Sequence, residues 1–450
     1  MREYFYIKYF FTVLLILSFV SCQPELAGPE INKGEINPAV YVALGDDFTA
    51  GYMDGALYYD GQKNSLPNII AQQFLLTGEY FFVQPLMDQN SAGIGSTGKS
   101  KSVLRYATDC LGASSLKPVP YAASGDMSAL TVNLFPTIGP FNNMGVPDAK
   151  MIDLNKHGYG NTANGTGNFN PFFARIASDP ANTSVLDDAT ILIPTFFSVF
   201  AGTQDVLAYA MKGGASDFIT PTNGAAGQGF DGSLNNVVSV LQSNGAKGVI
   251  GTIPDILDFP YFTTIPIDGL TLDSANAGLM NAIYNPMGIY FQVGKNFFTI
   301  EDTSQTFGVR TIKPGEYILL NIPLDSVKCF KMGSVYPIPN RYVINQTEAQ
   351  NIRNAVNSYN SIIASSAQQH NLAIADTYRF FKNLKSGIIY NGISLNSSFV
   401  SGGAFSLDGI HLNPRGNALL ANEFLKAINT KFGATFPMVD ATKYKSITFP

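Results

Sequence analysis

The chain has 450 residues, of which 46% are hydrophobic and 14% charged, so it can bury a large core and is not a mainly disordered protein. Its 28 Lys and Arg residues against 33 Asp and Glu residues give a net charge of -5. This charge excludes a broad basic surface for a phosphate backbone, so nucleic acid is not an expected partner. The 42 Gly and 25 Pro residues indicate a loop-rich protein.

The N-terminal segment has the pattern of an export signal. A charged start precedes an apolar run over residues 10–20, which is too short to cross a bilayer as a helix. The run leads into the string FVSC, which resembles the lipobox of bacterial lipoproteins, in which the Cys is acylated and becomes the mature N-terminus. We therefore predict a signal peptide over 1–21 and a lipid anchor at Cys22, followed by a Pro- and Gly-rich linker over 22–38. An ordinary cleaved signal, with an incidental Cys22, is the alternative.

Strands and helices alternate along the rest of the chain. Buried strands are predicted at 39–44, 191–201, 248–253 and 372–375, and helices at 67–76, 234–241, 347–369 and 414–429. The last helix has Asn413 as its N-cap and Pro414 at its first position. The alternation predicts an α/β fold with a doubly wound, flavodoxin-like parallel sheet, whose sites lie beyond the carboxyl ends of the strands.

Two stretches break this alternation. Residues 86–140 and 258–345 have few periodic apolar positions, and we interpret them as large loop insertions in a single domain over 39–450. Two cysteines remain after the predicted anchor, Cys110 and Cys329, and an oxidising envelope would allow them to pair. Their separation of 219 residues gives no information about proximity, and we expect free, buried thiols.

Four strings of the sequence lie at or between these predicted elements. YVALGDDFTAGY covers the end of the first strand, NNMGVPDAK and FAGTQDVLAYA lie further along, and FSLDGIHLNPRGN leads into the last helix. Together they resemble the sequence blocks of SGNH/GDSL hydrolases, in the family's order and on the family's elements, and the chain is most similar to larger lipid-anchored members. The resemblance covers most of the chain after about residue 39 and implies the SGNH hydrolase fold.

The resemblance also assigns positions to five side chains. Asp408 and His411 match the family's acid and general base. Asp47 stands where the family has its nucleophilic Ser, which also contributes to the oxyanion hole. The other two oxyanion-hole positions, a Gly and an Asn in the family, are Asp148 and Gln204 here.

Loss of the nucleophile is the decisive departure from the family. A carboxylate that attacks an ester would form a mixed anhydride, and losing a triad nucleophile costs about a million-fold in rate in a well-studied protease. We therefore predict a degraded hydrolase, or pseudoenzyme, without cofactor or metal, that binds an ester-bearing lipid, a carbohydrate or an envelope partner. Its predicted location is the bacterial cell envelope, at the outer membrane. We also expect Asp47 to contact His411 and hold it protonated.

Two alternatives remain open from the sequence. The first is an active hydrolase. Its nucleophile would be either Asp47, attacking an alkyl carbon, or a serine from elsewhere in the chain, such as Ser124, attacking an ester. The second is a divalent-cation site formed by the oxygen-rich set at the old catalytic cleft, which comprises Asp47, Asp148, Gln204 and His411.

Overall fold

The structure is a computed structural model, and it describes residues 30–78, 80–215 and 217–450. The predicted signal peptide, Cys22 and the first part of the linker lie outside the described residues. Within the described part of the chain, no helix combines the length and the apolar character that crossing a bilayer requires.

A five-stranded sheet with all strands parallel forms the centre of the molecule. Its strands are β1 (Tyr41–Gly45), β2 (Asn143–Gly145), β3 (Phe196–Phe200), β4 (Lys247–Gly251) and β5 (Ala373–Ala375). The order across the sheet is β2-β1-β3-β4-β5, an order found in doubly wound sheets of the flavodoxin type. The predicted α/β fold with a parallel sheet is confirmed, and β2 is the one strand of this sheet that the sequence analysis missed.

Helices flank the sheet in two groups. Those used below are α1 (Asp47–Ala50), α2 (Leu66–Phe74), α3 (Val185–Thr190), α4 (Gln204–Ala210), α5 (Phe230–Leu241), α6 (Gln346–Gln369), α7 (Thr377–Ser386) and α8 (Pro414–Phe432). One group contains α2 and α8, which pack together, and the other contains α3, α5 and α6. Both α6 and α8 contact β5, an arrangement compatible with a layer of helices on each face. Further helices span Tyr59–Lys63, Phe135–Ile138, Pro171–Ala174, Pro260–Thr263, Ser274–Tyr284 and Leu324–Cys329.

The start of α8 forms as the sequence predicts. The side chain of Asn413 accepts a hydrogen bond from the backbone N–H of Gly416 at 3.0 Å, and Pro414 occupies the first helical position. This cap fixes the residue at which α8 begins. It therefore also fixes the end of the preceding loop, which carries His411.

The remaining strands form two-stranded antiparallel units outside the central sheet. They pair Ser102–Thr108 with Ser114–Pro120, Leu270–Leu272 with Gly294–Asn296, Thr299–Glu301 with Val309–Thr311, Tyr317–Ile318 with Val343–Ile344, and Ile388–Tyr390 with Ile393–Leu395. Four of the five pairs involve residues of the two predicted insertions.

The expectation of free, buried thiols is wrong. Cys110 and Cys329 form a disulfide with their Cα atoms 6.4 Å apart, and Cys110 is exposed. The turn of the hairpin after Thr108 reaches the end of the helix Leu324–Cys329, where Lys328 also forms a 2.8 Å ion pair with Asp109. The pairing depends on how the two insertions pack against each other, which the sequence separation of 219 does not reveal.

Candidate functional site

The carboxyl edge of the sheet brings together side chains from three strand ends. Asp47 is the first residue of α1, directly after β1 and Asp46, and Gln204 is the first residue of α4, shortly after β3. Asp148 follows β2 by three residues and has a positive φ of 65°, a conformation that Asp tolerates better than most side chains. Because the strands are parallel, their carboxyl ends meet at one edge, and this is where the three residues converge.

The carboxylate of Asp47 is held by donors from the two other strand ends. Its Oδ2 accepts a hydrogen bond from Nε2 of Gln204 and a second from the backbone N–H of Asp148, the latter at 3.2 Å. These are the groups that the family resemblance places in the oxyanion hole. In this structure they bind the side chain of Asp47 itself.

His411 lies on the other side of the same carboxylate. Its Nε2 is 3.9 Å from Oδ1 of Asp47, and its Nδ1 lies 2.9 Å from Oδ2 of Asp408. Asp408 is fixed in turn, because its Oδ1 accepts the backbone N–H groups of Ile410 and His411, both at 2.8 Å. Among the described residues, Nε2 of His411 has no hydrogen-bond partner. The predicted approach of Asp47 to His411 is thus present as a charge contact, at a distance beyond that of a hydrogen bond.

The acidic neighbours favour the charged form of His411. Burial alone would lower the pKa of this imidazole, but the charge and the hydrogen bond of Asp408, together with the charge of Asp47, outweigh burial and raise its pKa to about 9. For Asp408, burial is opposed by the His411 charge and by the hydrogen bonds that it accepts, which together hold the pKa of this carboxyl below its usual value. The two residues therefore form a buried ion pair at neutral pH.

The adjacent carboxyls Asp46 and Asp47 differ from Asp408, because their pKa values are raised. Burial raises the pKa of Asp47 despite the opposing charge of His411, and burial together with the Asp47 charge raises the pKa of Asp46 well above its usual value. The raised pKa of Asp47 favours the protonated form of this carboxyl, whereas the neighbouring charge of His411 favours the ionised form. The geometry favours an ionised Asp47, because both groups on its Oδ2 are N–H donors. Oδ2 of Asp46 has no partner among the described residues, so we assign the proton to Asp46.

The cluster is closed to solvent. Asp47 is 2% exposed and His411 5%, and the rings of Phe48 and Tyr52 lie with their centroids 5.1 and 5.0 Å from the imidazole. A substrate carbonyl therefore has no open path to Nε2 of His411 in this structure.

Asp148 is the member of the cluster that faces outward. The residue is exposed, yet protein atoms surround its carboxyl, and this desolvation together with the Asp47 charge raises its pKa to about 6. It lies at the edge of a groove of about 1140 Å³ that is also lined by Ser96, Tyr159, Phe169 and Asn170. This groove provides accessible space next to the buried cluster.

Asp205 has a positioning role that the sequence analysis did not assign. It is fully buried, and its Oδ2 accepts the backbone N–H of Met151 at 2.8 Å. This bond ties the start of α4 to the loop after β2, so it fixes Asp148 relative to Gln204. The signal was available, since Asp205 directly follows Gln204 in the string that carries the family resemblance.

Residues named for the two alternatives are also found in the described part of the chain. Ser124 is exposed, and among the described residues it forms no hydrogen bond with His411. No group of three or more His, Cys, Asp or Glu side chains in the described ranges is arranged to hold a metal ion.

The fold and the site together define an α/β protein with a parallel five-stranded sheet and a buried Asp–His–Asp cluster at its carboxyl edge. Comparisons with protein-family models, with curated protein sequences and with solved structures find no match to the chain.

Proposed function

We propose that the protein is a cell-envelope lipoprotein, anchored through Cys22, with an SGNH-hydrolase-like fold that binds a ligand or partner and does not hydrolyse esters. The flavodoxin-type strand order and the position of each sequence block at the carboxyl edge of the sheet support this class. The accessible groove beside Asp148 is the ligand site that we assign.

The hydrogen bonding of Asp47 carries the proposal. An ester hydrolase needs empty donors that stabilise charge as it develops on the substrate oxygen. Here the amide of Gln204 and the backbone N–H of Asp148 are already bound to a carboxylate. The same carboxylate replaces the nucleophile and pairs with the group that would act as the base, so one substitution removes three parts of the reaction.

An Asp47 nucleophile is less consistent with this arrangement. Displacement at an alkyl carbon requires a carboxylate oxygen that can reach the substrate in line. Oδ2 of Asp47 is engaged by two donors and the residue is 2% exposed. The geometry thus favours binding over both forms of hydrolysis.

A short activated ester and a serine-directed fluorophosphonate test the proposal. The wild-type protein should neither hydrolyse the ester above the background rate nor become labelled. The variant Asp47→Ser with Asp148→Gly and Gln204→Asn should gain measurable hydrolysis, because it restores a nucleophile and empties the donors. Adding His411→Ala should remove that gain.

The matched control carries Asp47→Ala with the same two changes at Asp148 and Gln204. It opens the site equally but supplies no nucleophile, so it should remain inactive and unlabelled. Stoichiometric labelling of the wild-type protein, with turnover at ordinary enzymatic rates, would show that it is a working serine hydrolase.

A further inference from the structure

The end of the sheet opposite the buried cluster carries an exposed apolar surface. We call it the basal face and define it by six side chains that belong to segments at the N-terminal ends of the strands. Phe81 is 85% exposed and Ile193 60%, and the other four are also solvent-exposed. The six residues of the basal face are Ile31, Leu75, Leu76, Phe81, Ile191 and Ile193.

An aromatic cluster beneath the basal face shows that its segments are neighbours. Tyr41, the first residue of β1, lies with its ring centroid 5.2 Å from that of Phe74 at the end of α2, and 5.3 Å from that of Phe82. Phe74 is also 5.4 Å from Phe196, the first residue of β3. Leu75, Phe81 and Ile193 are close in sequence to members of this cluster. Several exposed apolar side chains on neighbouring segments are typical of a surface that contacts another molecule or a membrane.

Ile193 is exposed in a backbone conformation that suits it poorly. Its φ is +51°, in the left-handed region where a β-branched residue is strained, and it precedes Pro194, which disfavours helical geometry at that position. Asn or Gly would occupy this turn at lower cost and would be compatible with water. Strained residues of this kind cluster at functional surfaces.

The described chain begins at the same end of the molecule. Asn32 exchanges hydrogen bonds with Thr435, just beyond the C-terminal end of α8, through its N–H to Oγ1 and its C=O to the backbone N–H. Thr195, two residues after Ile193, is bonded to Asn37 through its hydroxyl. Seven residues separate Cys22 from Glu30, and the eight steps from one to the other reach at most about 29 Å.

We infer that the basal face rests on the surface of the lipid bilayer to which Cys22 anchors the protein. The inference rests on the proposed lipid anchor. The short linker holds this end of the molecule near the bilayer, the apolar side chains suit the boundary between headgroups and acyl chains, and the exposed Lys33 and Lys431 suit lipid phosphates. The strands then direct the groove at Asp148 away from the membrane.

Site-specific fluorescence on the full-length lipidated protein in phosphatidylethanolamine and phosphatidylglycerol vesicles tests the inference. An environment-sensitive thiol label is placed at Phe81→Cys and at Ile193→Cys, and the control label at Thr166→Cys lies beside the groove. Native cysteines do not compete, because Cys110 and Cys329 are bonded to each other and the sulfur of Cys22 would carry the lipid. Labels at 81 and 193 should shift to the blue and lose most of their quenching by aqueous iodide, whereas the label at 166 should remain quenched.

Equal quenching at all three positions would overturn the inference. So would equal protection at 81 and 193 in the Cys22→Ala protein without vesicles, together with a dimer in ultracentrifugation, because a second copy would then cover the face. If mass spectrometry of the mature wild-type protein finds no acyl chain on Cys22, the lipid anchor is wrong, and the face is then tested separately by vesicle binding of the Cys22→Ala variant.

In the Cys22→Ala background, Phe81→Ser with Ile193→Asn should weaken vesicle binding at least about tenfold, since it removes two apolar side chains from the contact. The matched control replaces two exposed apolar residues elsewhere, Phe307→Ser with Leu111→Asn, and should leave binding unchanged. Equal binding of the two double variants would contradict the membrane contact.

Discussion

Replacing His411 with Gln should remove a pH-dependent part of the protein's stability. The pKa of His411 rises from an ordinary 6.5 to about 9 in the folded protein, and one pKa unit corresponds to about 1.4 kcal/mol. Protonation of the folded imidazole therefore contributes about 3 kcal/mol to the free energy of unfolding. The folded pKa lies above the unfolded one, so this contribution is complete below pH 6.5 and is lost as the pH rises through 9.

Urea unfolding between pH 6.5 and 9.5, for the wild type and His411→Gln, measures this contribution. Asp54, Asp148 and Asp205 have pKa values of about 6 and finish most of their titration below this window. Asp46, whose pKa is raised further, is present in both proteins, so the comparison isolates the part of the profile that depends on His411. The wild type should lose about 3 kcal/mol more than the variant across it. The chain has three His residues, so the variant also assigns the His411 ring signals in NMR spectra, which should titrate near pH 9. Parallel stability profiles for the two proteins would refute the assignment of His411 as a buried cation.

Two further changes test the structure away from the cluster. Cys110→Ser with Cys329→Ser should lower the free energy of unfolding by up to about 5 kcal/mol in the chain-entropy model, given the separation of 219 residues; an unchanged urea midpoint would mean that the bridge does not form in the protein. Ile193→Asn should raise stability by about 1 kcal/mol, because Asn tolerates the left-handed conformation better than a β-branched residue. A lower melting temperature in calorimetry would argue against strain at this turn.

The sequence predicts the strands that are continuous apolar runs and misses the one that is not. β1, β3, β4 and β5 all overlap predicted strands, because buried parallel strands read as unbroken apolar segments. β2 consists of Asn143, Met144 and Gly145 and becomes a strand only through its pairing with β1. The prediction for β3 begins too early, since Pro194 and the left-handed Ile193 delay the strand until Phe196.

For the site, the sequence predicts which residues meet but not how they are bonded. The order of the motif blocks places Asp47, Asp148, Gln204 and His411 at one sheet edge, which the structure also shows. The direction of each hydrogen bond depends on side-chain rotamers, and closure of the cluster depends on packing by Tyr52. Neither the rotamers nor this packing produces a periodic pattern that a single sequence would reveal.

The carboxylate held by Gln204 and the Asp148 backbone has a chemical counterpart in hydrolases of the proposed class. Ester hydrolysis releases a carboxylic acid, and Asp47 places such an acid permanently against the donors, as part of the chain itself. The site therefore resembles an enzyme in permanent complex with its product. A catalyst makes its strongest interactions only in the transition state, whereas here they are already made in the resting protein. They therefore contribute to the stability of the fold. They cannot bind a transition state more tightly than a substrate, so they cannot accelerate a reaction.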